Sequence, residues 1–164
     1  MTADPVTIRA ATAADAASIA SVLADAFVEF RDLYTPDGYR ATAPAHDEVE
    51  RRLADGPIWV AEIGGQVTGT VSAVVREDGV YVRGMAVGRS ARGAGIGKRL
   101  LKQVHEFAAA QDRSHLYLST TPFLSTAIQL YQRAGFIPTS APPYELHGTP
   151  LFTMEKWSKG VDVR

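Results

Sequence analysis

Apolar residues along the chain follow two different rhythms. In the first part Ile19, Val22, Leu23, Ala26, Phe27 and Phe30 recur at helical spacing and predict an amphipathic helix. Val6–Arg9 ahead of it predicts a short strand, and Thr12 with Asp15 resembles a capping box in which Asp replaces Glu or Gln. From Ile58 onward the texture becomes that of strands. "IWVAEI", "QVTGTVSAVV" and "VYVRGMAV" are rich in branched residues, and Gly64-Gly65 and Asp78-Gly79 between them suit antiparallel hairpin turns. The helical rhythm then returns in Ile96, Leu100, Leu101, Val104, Phe107 and Ala108, ending near Ala110. "HLYLSTT" (His115–Thr121) predicts a fifth strand, Leu124–Phe136 a last helix with Gly135 at its C′ position, and Pro150–Trp157 a closing strand. Between these lie an irregular segment, Arg31–His46, and a short predicted helix, Asp47–Ala54. Adjacent strands followed by strands interleaved with helices imply an α/β fold around a sheet of mixed direction.

Composition narrows the function without naming it. A length of 164 residues suits one domain, 1–164, with a real core. The net charge of −1, with acidic and basic residues interleaved, speaks against a nucleic-acid binder. Cysteine is absent, which removes disulfides, thiolate metal sites and a cysteine nucleophile together. His46, His105, His115 and His147 are scattered without metal-ligand spacing, so no metal is expected. The start of the chain lacks a signal-peptide pattern, and Asp15 and Asp25 interrupt the Ala-rich Ala10–Ala26 stretch. The expectation is a cytoplasmic protein with no membrane partner.

The stretch "RGAGIGKRL" (Arg92–Leu100) carries the chemistry. A dinucleotide fingerprint would need a glycine where Lys98 stands. A P-loop would need a glycine at Arg92 and a hydroxyl at Arg99. Placed between a predicted strand and a predicted helix, the glycines instead open a helix whose free N–H groups and dipole favour an anion. Arg92, Lys98, Arg99 and Lys102 add positive charge there. This reads as a phosphate cradle with no magnesium ligand; an ordinary glycine-rich turn is the alternative.

"MAVGRSARGAGIGKRLL" resembles the acyl-CoA binding motif of the GNAT superfamily of N-acetyltransferases, Arg/Gln-x-x-Gly-x-Gly/Ala, at Arg92, Gly95 and Gly97. "AIQLYQRAGF" resembles that family's second signature at Ala127, Leu130, Tyr131, Arg133, Gly135 and Phe136. The resemblance implies a mostly antiparallel central sheet with splayed middle strands flanked by helices. It also implies acetyl-CoA as cosubstrate, held at the pyrophosphate by Arg92, Gly93, Ala94, Gly95, Ile96, Gly97 and Lys98. Pantetheine would lie along the strand edge at Met85, Ala86 and Val87, with Ser125 or Thr126 where the family often has asparagine; either hydroxyl instead could cap the last helix.

The same resemblance implies direct attack of an amine on the thioester, with Tyr131 as general acid. The carboxylate some members carry before the glycine turn is missing, because Tyr81 and Arg83 stand there. Glu29, Glu62 or a water are substitutes, and the base stays unassigned. Phe30, Tyr34, Tyr81 and Arg83 are the expected acceptor-binding residues, with Tyr39, Arg31 and the Pro-rich Ser140–Gly148 nearby. The expected partner is a small-molecule amine, and a homodimer is compatible. A protein N-terminus or lysine is the rival acceptor, and a non-catalytic acyl-CoA sensor the rival class.

Overall fold

The computed structural model describes residues 4–158. Eight strands form the sheet: β1 (Val6–Ala10), β2 (Ile58–Ile63), β3 (Gln66–Arg76), β4 (Gly79–Val87), β5 (His115–Thr120), β6 (Ile137–Pro138), β7 (Tyr144–Leu146) and β8 (Thr149–Trp157). Their order is β1-β2-β3-β4-β5-β8-β6, with β7 paired to β8. All pairs are antiparallel except β4–β5. The five α-helices are α1 (Ala16–Phe27), α2 (Pro36–Thr42), α3 (His46–Arg52), α4 (Ile96–Ala110) and α5 (Ser125–Arg133).

Alternation along β2 divides the core in two. Trp59 and Ala61 face α4 and α5, packing with Leu100, Leu101, Val104, Tyr131 and Phe136. Ile58 and Val60 face α1 and α3, packing with Ile19, Leu23 and Val49. Period-two side-chain placement lets one strand serve both helical layers.

The hairpins follow their turn chemistry. Gly64 and Gly65 both have positive φ (56° and 78°), as a two-residue turn of mirror-image hand requires between β2 and β3. The β3–β4 turn is Glu77-Asp78 rather than the expected Asp78-Gly79, since Gly79 already pairs with Arg76. Gly79 serves a different purpose: a Cβ there would lie 2.5 Å from the His115 carbonyl oxygen, so its absence lets β4 meet β5. α5 ends as expected, with Gly135 at φ 100° and Phe136 N donating to Tyr131 O at 3.0 Å.

Two segments depart from expectation. Arg31–His46 is mostly helical, comprising the end of a 3₁₀ turn (Val28–Leu33) and α2. Thr35 caps α2 by accepting from Gly38 N at 3.0 Å, with Pro36 in the first turn. The Pro-rich Ser140–Gly148 contains β7, which turns into β8 through His147 and Gly148, both at positive φ.

Candidate active site

Parallel pairing of β4 with β5 covers only Val80↔Leu116 and Tyr81↔Tyr117. Beyond that the strands separate. A bulge at the same point reinforces the separation: Thr70 pairs with Ala86 and Ser72 with Arg83, so Gly84 and Met85 together oppose Val71 alone. Gly84 takes φ 63°, the left-handed conformation a glycine-type bulge uses. Sequence reading passed over this feature, although an isolated glycine inside a strand pattern is its signal.

The wedge opens into a cavity of about 350 Å³. Tyr81, Arg83 and Met85 line it from β4, Leu118 and Ser119 from β5, and Tyr131 from α5. Tyr34 and Thr42 close one side, and Tyr144 and Leu146 of β7 the other. These two walls are tied together. Thr35 N donates to Thr149 Oγ1 at 3.0 Å, and Thr35 Oγ1 donates to His147 O at 2.6 Å.

Tyr131 is buried, with its ring 6.1 Å from that of Phe136. Burial first, then the neighbouring Tyr34, pushes its phenol well above the usual range. It therefore keeps its proton at neutral pH. Tyr34 is likewise raised by burial, and its ring meets Phe123 edge-on at 4.9 Å. Phe30 does not line the cavity; it packs against Phe123 at 6.4 Å, one layer behind Tyr34. Tyr39 and Arg31 form an outer cation–π contact, at 5.5 Å.

The glycine turn lies at the start of α4, where Gly97 packs against Met85 and Leu130. Gly93 (φ 88°) and Gly95 (φ 75°) need left-handed backbone, and a Cβ on either would meet nothing within 4 Å. The turn is exposed and open, as an anion cradle must be. Arg99 N already donates to Gly95 O, so Ile96, Gly97 and Lys98 supply the free amides of the first turn. Gly97 is glycine for a different reason from the expected one. A Cβ there would sit 2.7 Å from Leu130 Cδ2 and 3.2 Å from Met85 Cε, so it permits close packing of α4 on α5 and β4. Ile96 is likewise buried and offers only its backbone.

The surrounding cations are largely engaged. Arg92 pairs with Glu29 at 2.6 Å and donates to Ala26 O, while Arg89 is held by Asp25 at 3.0 Å. Arg99 donates to Val6 O. Ala94 and Lys98 are exposed beside them. Of the strand residues, Ala86 turns its side chain into the α1 core and Val87 packs toward α4, and neither lines the cavity. Ser125 and Thr126 are exposed on the first turn of α5 and neither lines the cavity; Leu124 holds the N-cap position with no side-chain cap.

Neither substitute base reaches the cavity. Glu62 is bound by Arg9 next to β1, and Glu29 is bound by Arg92 near the cradle. Conversely, Arg52 and Arg76 line the cavity although sequence pattern gave no reason to single them out. Among the described residues no cluster of His, Asp or Glu suits a metal ion, and no helix is long and apolar enough to cross a membrane.

Comparison with known proteins agrees with this geometry. Residues 23–136 match the Acetyltransferase (GNAT) family. Over 80 residues the chain is 44% identical to N-acetylaspartate synthetase of Danio rerio, covering 48% of this chain and 28% of that one. The chain thus spans less than a third of that relative's length. The PaiA N-acetyltransferase of Thermoplasma acidophilum, in complex with coenzyme A, superposes with a TM-score of 0.78 at 15% identity, covering 93% of this chain and 99% of the other. YncA of Salmonella typhimurium, with acetyl-CoA, gives 0.72 at 22% identity over 96% of each chain. The chain belongs to the GNAT acetyltransferase family.

Proposed function

We propose that the chain is a single transferase domain that moves an acetyl group from acetyl-CoA to the primary amine of a small molecule or amino acid. One observation carries this reading: the β4–β5 wedge is lined by a buried Tyr131 and by Met85, the side chain against which Gly97 of the open glycine turn packs. The residues fit the cosubstrate. Backbone amides from Gly93 to Lys98 suit its pyrophosphate, and the unpaired edge of β4 after Tyr81 suits an extended amide-bearing arm. Acetyl-CoA supplies a thioester whose carbonyl carbon gains the amine nitrogen as the carbon–sulfur bond breaks.

The protein's part is positional and protic. Backbone N–H groups of β4 beyond Tyr81, where pairing with β5 has stopped, would serve as donors to the negative charge that develops on the carbonyl oxygen, a contribution of about 3–4 kcal/mol per donor in such sites. Tyr131 holds a proton at Oη for the departing sulfur and is recharged from water. The nitrogen loses its own proton to water, because among the described residues no Asp or Glu lines the cavity. The relative named N-acetylaspartate synthetase supports a small amine acceptor.

The lack of a lining carboxylate also suits a reading as a non-catalytic acyl-CoA sensor, and one assay separates the two. Thiol release is followed while acetyl-CoA is mixed with a panel of amines. Release that depends on both amine and Tyr131 is expected of the enzyme. Thermal stabilisation by acetyl-CoA without any release would identify a sensor.

A further inference from the structure

The cavity is electrically lopsided. Among the described residues its lining includes Arg52, Arg76 and Arg83 and four tyrosines, but no carboxylate. Such a lining repels a polyamine and attracts an anion.

Two of the arginines converge beside the bulge. Arg83 Nη2 donates to Asp55 at 2.7 Å, while its Nε is buried without a partner. A buried donor left open costs free energy unless a ligand satisfies it. Arg52 Nη2 donates to Ala41 O at 3.0 Å, and its nearest carboxylate, Glu48, stands 3.9 Å from Nε. Its Nη1 lies over Gly84, 3.8 Å from where a Cβ would be, immediately next to Arg83 in sequence. Burial first and the neighbouring Arg83 second hold the Arg52 guanidinium below the usual arginine range. Two adjacent, partly desolvated guanidinium groups repel each other, and a shared anion relieves that repulsion. Planar donors with in-plane N–H groups match a carboxylate. Arg76 is spent differently, stacked over Tyr81 at 4.3 Å toward the mouth.

We infer that Arg52 and Arg83 form a carboxylate clamp at the acceptor end of the cavity, so that the amine substrate is a free amino acid rather than a polyamine or a protein side chain. This rests on the transferase reading and names the acceptor class for the same site. Arg83, offered above as an acceptor-binding residue, then acts jointly with Arg52. Tyr131 and the clamp border one cavity, so the amine next to the carboxylate falls within it.

The test uses the full chain with acetyl-CoA and pairs each of the common L-amino acids with its own carboxamide, adding putrescine and a lysine-containing peptide. The expected result is a kcat/KM at least ~30-fold higher for the best acid than for its amide, from the strength of a charged hydrogen-bonded pair. Arg83→Gln should raise KM for that acid by ~10- to 100-fold with a smaller change in kcat, collapsing the acid-to-amide ratio toward one. Arg83→Lys should recover part of it, and coenzyme A affinity serves as the folding control. Arg52→Gln should act in the same direction; if it fails to fold, the Arg83 pair decides. Amides, putrescine or peptide used as well as the free acid would overturn the clamp. If no amine is acetylated, the transferase reading fails separately, and NMR titration with succinate still judges the clamp. Saturable shifts at millimolar succinate, lost in Arg83→Gln, would support it, and their absence would overturn it.

Discussion

Along its β3 edge, β4 is paired from Gly79 to Val87; along its β5 edge, pairing stops after Tyr81. The paired edge is a local hairpin closed by a two-residue turn. The open edge depends on a crossover through α4, and β5 meets β4 only where Gly79 allows close approach. An unpaired strand edge inside a protein leaves backbone donors and acceptors needing partners. Here the open edge faces a cavity bordered by Tyr131, Arg52 and Arg83, so pairing capacity is withheld from the sheet where a ligand can use it. One edge of the strand is spent on the sheet, and the other is left open to the cavity.

The sharpest way to break this contrast is at Tyr131, on the open side. Tyr131→Phe keeps the ring against Phe136 but removes the hydroxyl. The expected outcome is a native fold by circular dichroism and a kcat reduced ~100-fold. Acetyl-CoA affinity by calorimetry should change little, since the glycine turn is on another element. Native turnover would return the residue to the core.

The legibility of the sequence divides along the same line. α4, α5 and the β2–β3 hairpin could be read because their signals are local: helical periodicity, a Gly-Gly turn and a glycine at C′. α2 was missed because a seven-residue helix is weak alone, and its cap Thr35 is anchored on Thr149, 114 residues away. Tyr131, Tyr81 and Arg83, which line the cavity, are singled out by motif and position in the sequence. Arg52 is not, because only tertiary packing carries α3 to the bulge. The Gly84 bulge was readable and overlooked.

Gly97 and Gly95 sharpen the comparison next. Gly97→Val places methyl groups against Leu130 and Met85, prising α4 from both sides of the wedge. A loss of ~1–3 kcal/mol in urea denaturation is expected, with weakened coenzyme A binding following from the distortion. Gly95→Ala meets no neighbour but must hold φ near 75°. Its cost should be smaller, ~1 kcal/mol, and a coenzyme A affinity loss should appear even in the folded fraction. Equal effects of the two on stability would contradict the separate roles assigned to them.

The smallest expected effect concerns pH, where the two regions should fail at opposite ends. Asp15, beside β1, is held far below its ordinary 3.8, first by Arg9 and then by the Thr12 amide. A depressed carboxylate stabilises the fold above its unfolded value, and that contribution is lost as pH falls through the acid range. Arg9 is substantially exposed, so solvent screening limits the pair to ~1 kcal/mol or less. Tyr131 is shifted the other way, above its ordinary 10.0, by burial. Below pH ~10 the phenol is protonated in both folded and unfolded chains and adds no pH dependence. Above it only the unfolded chain ionises readily, so stability declines as pH rises. Denaturation midpoints followed from about pH 3 to about pH 11 should therefore separate two variants. Asp15→Asn should flatten the acid limb and leave the alkaline one intact. Tyr131→Phe should flatten the alkaline limb in part, because Tyr34 and Tyr81 are also raised by burial and remain. An alkaline limb identical in wild type and Tyr131→Phe would mean that the hydroxyl is solvated in the folded chain and that burial does not raise it.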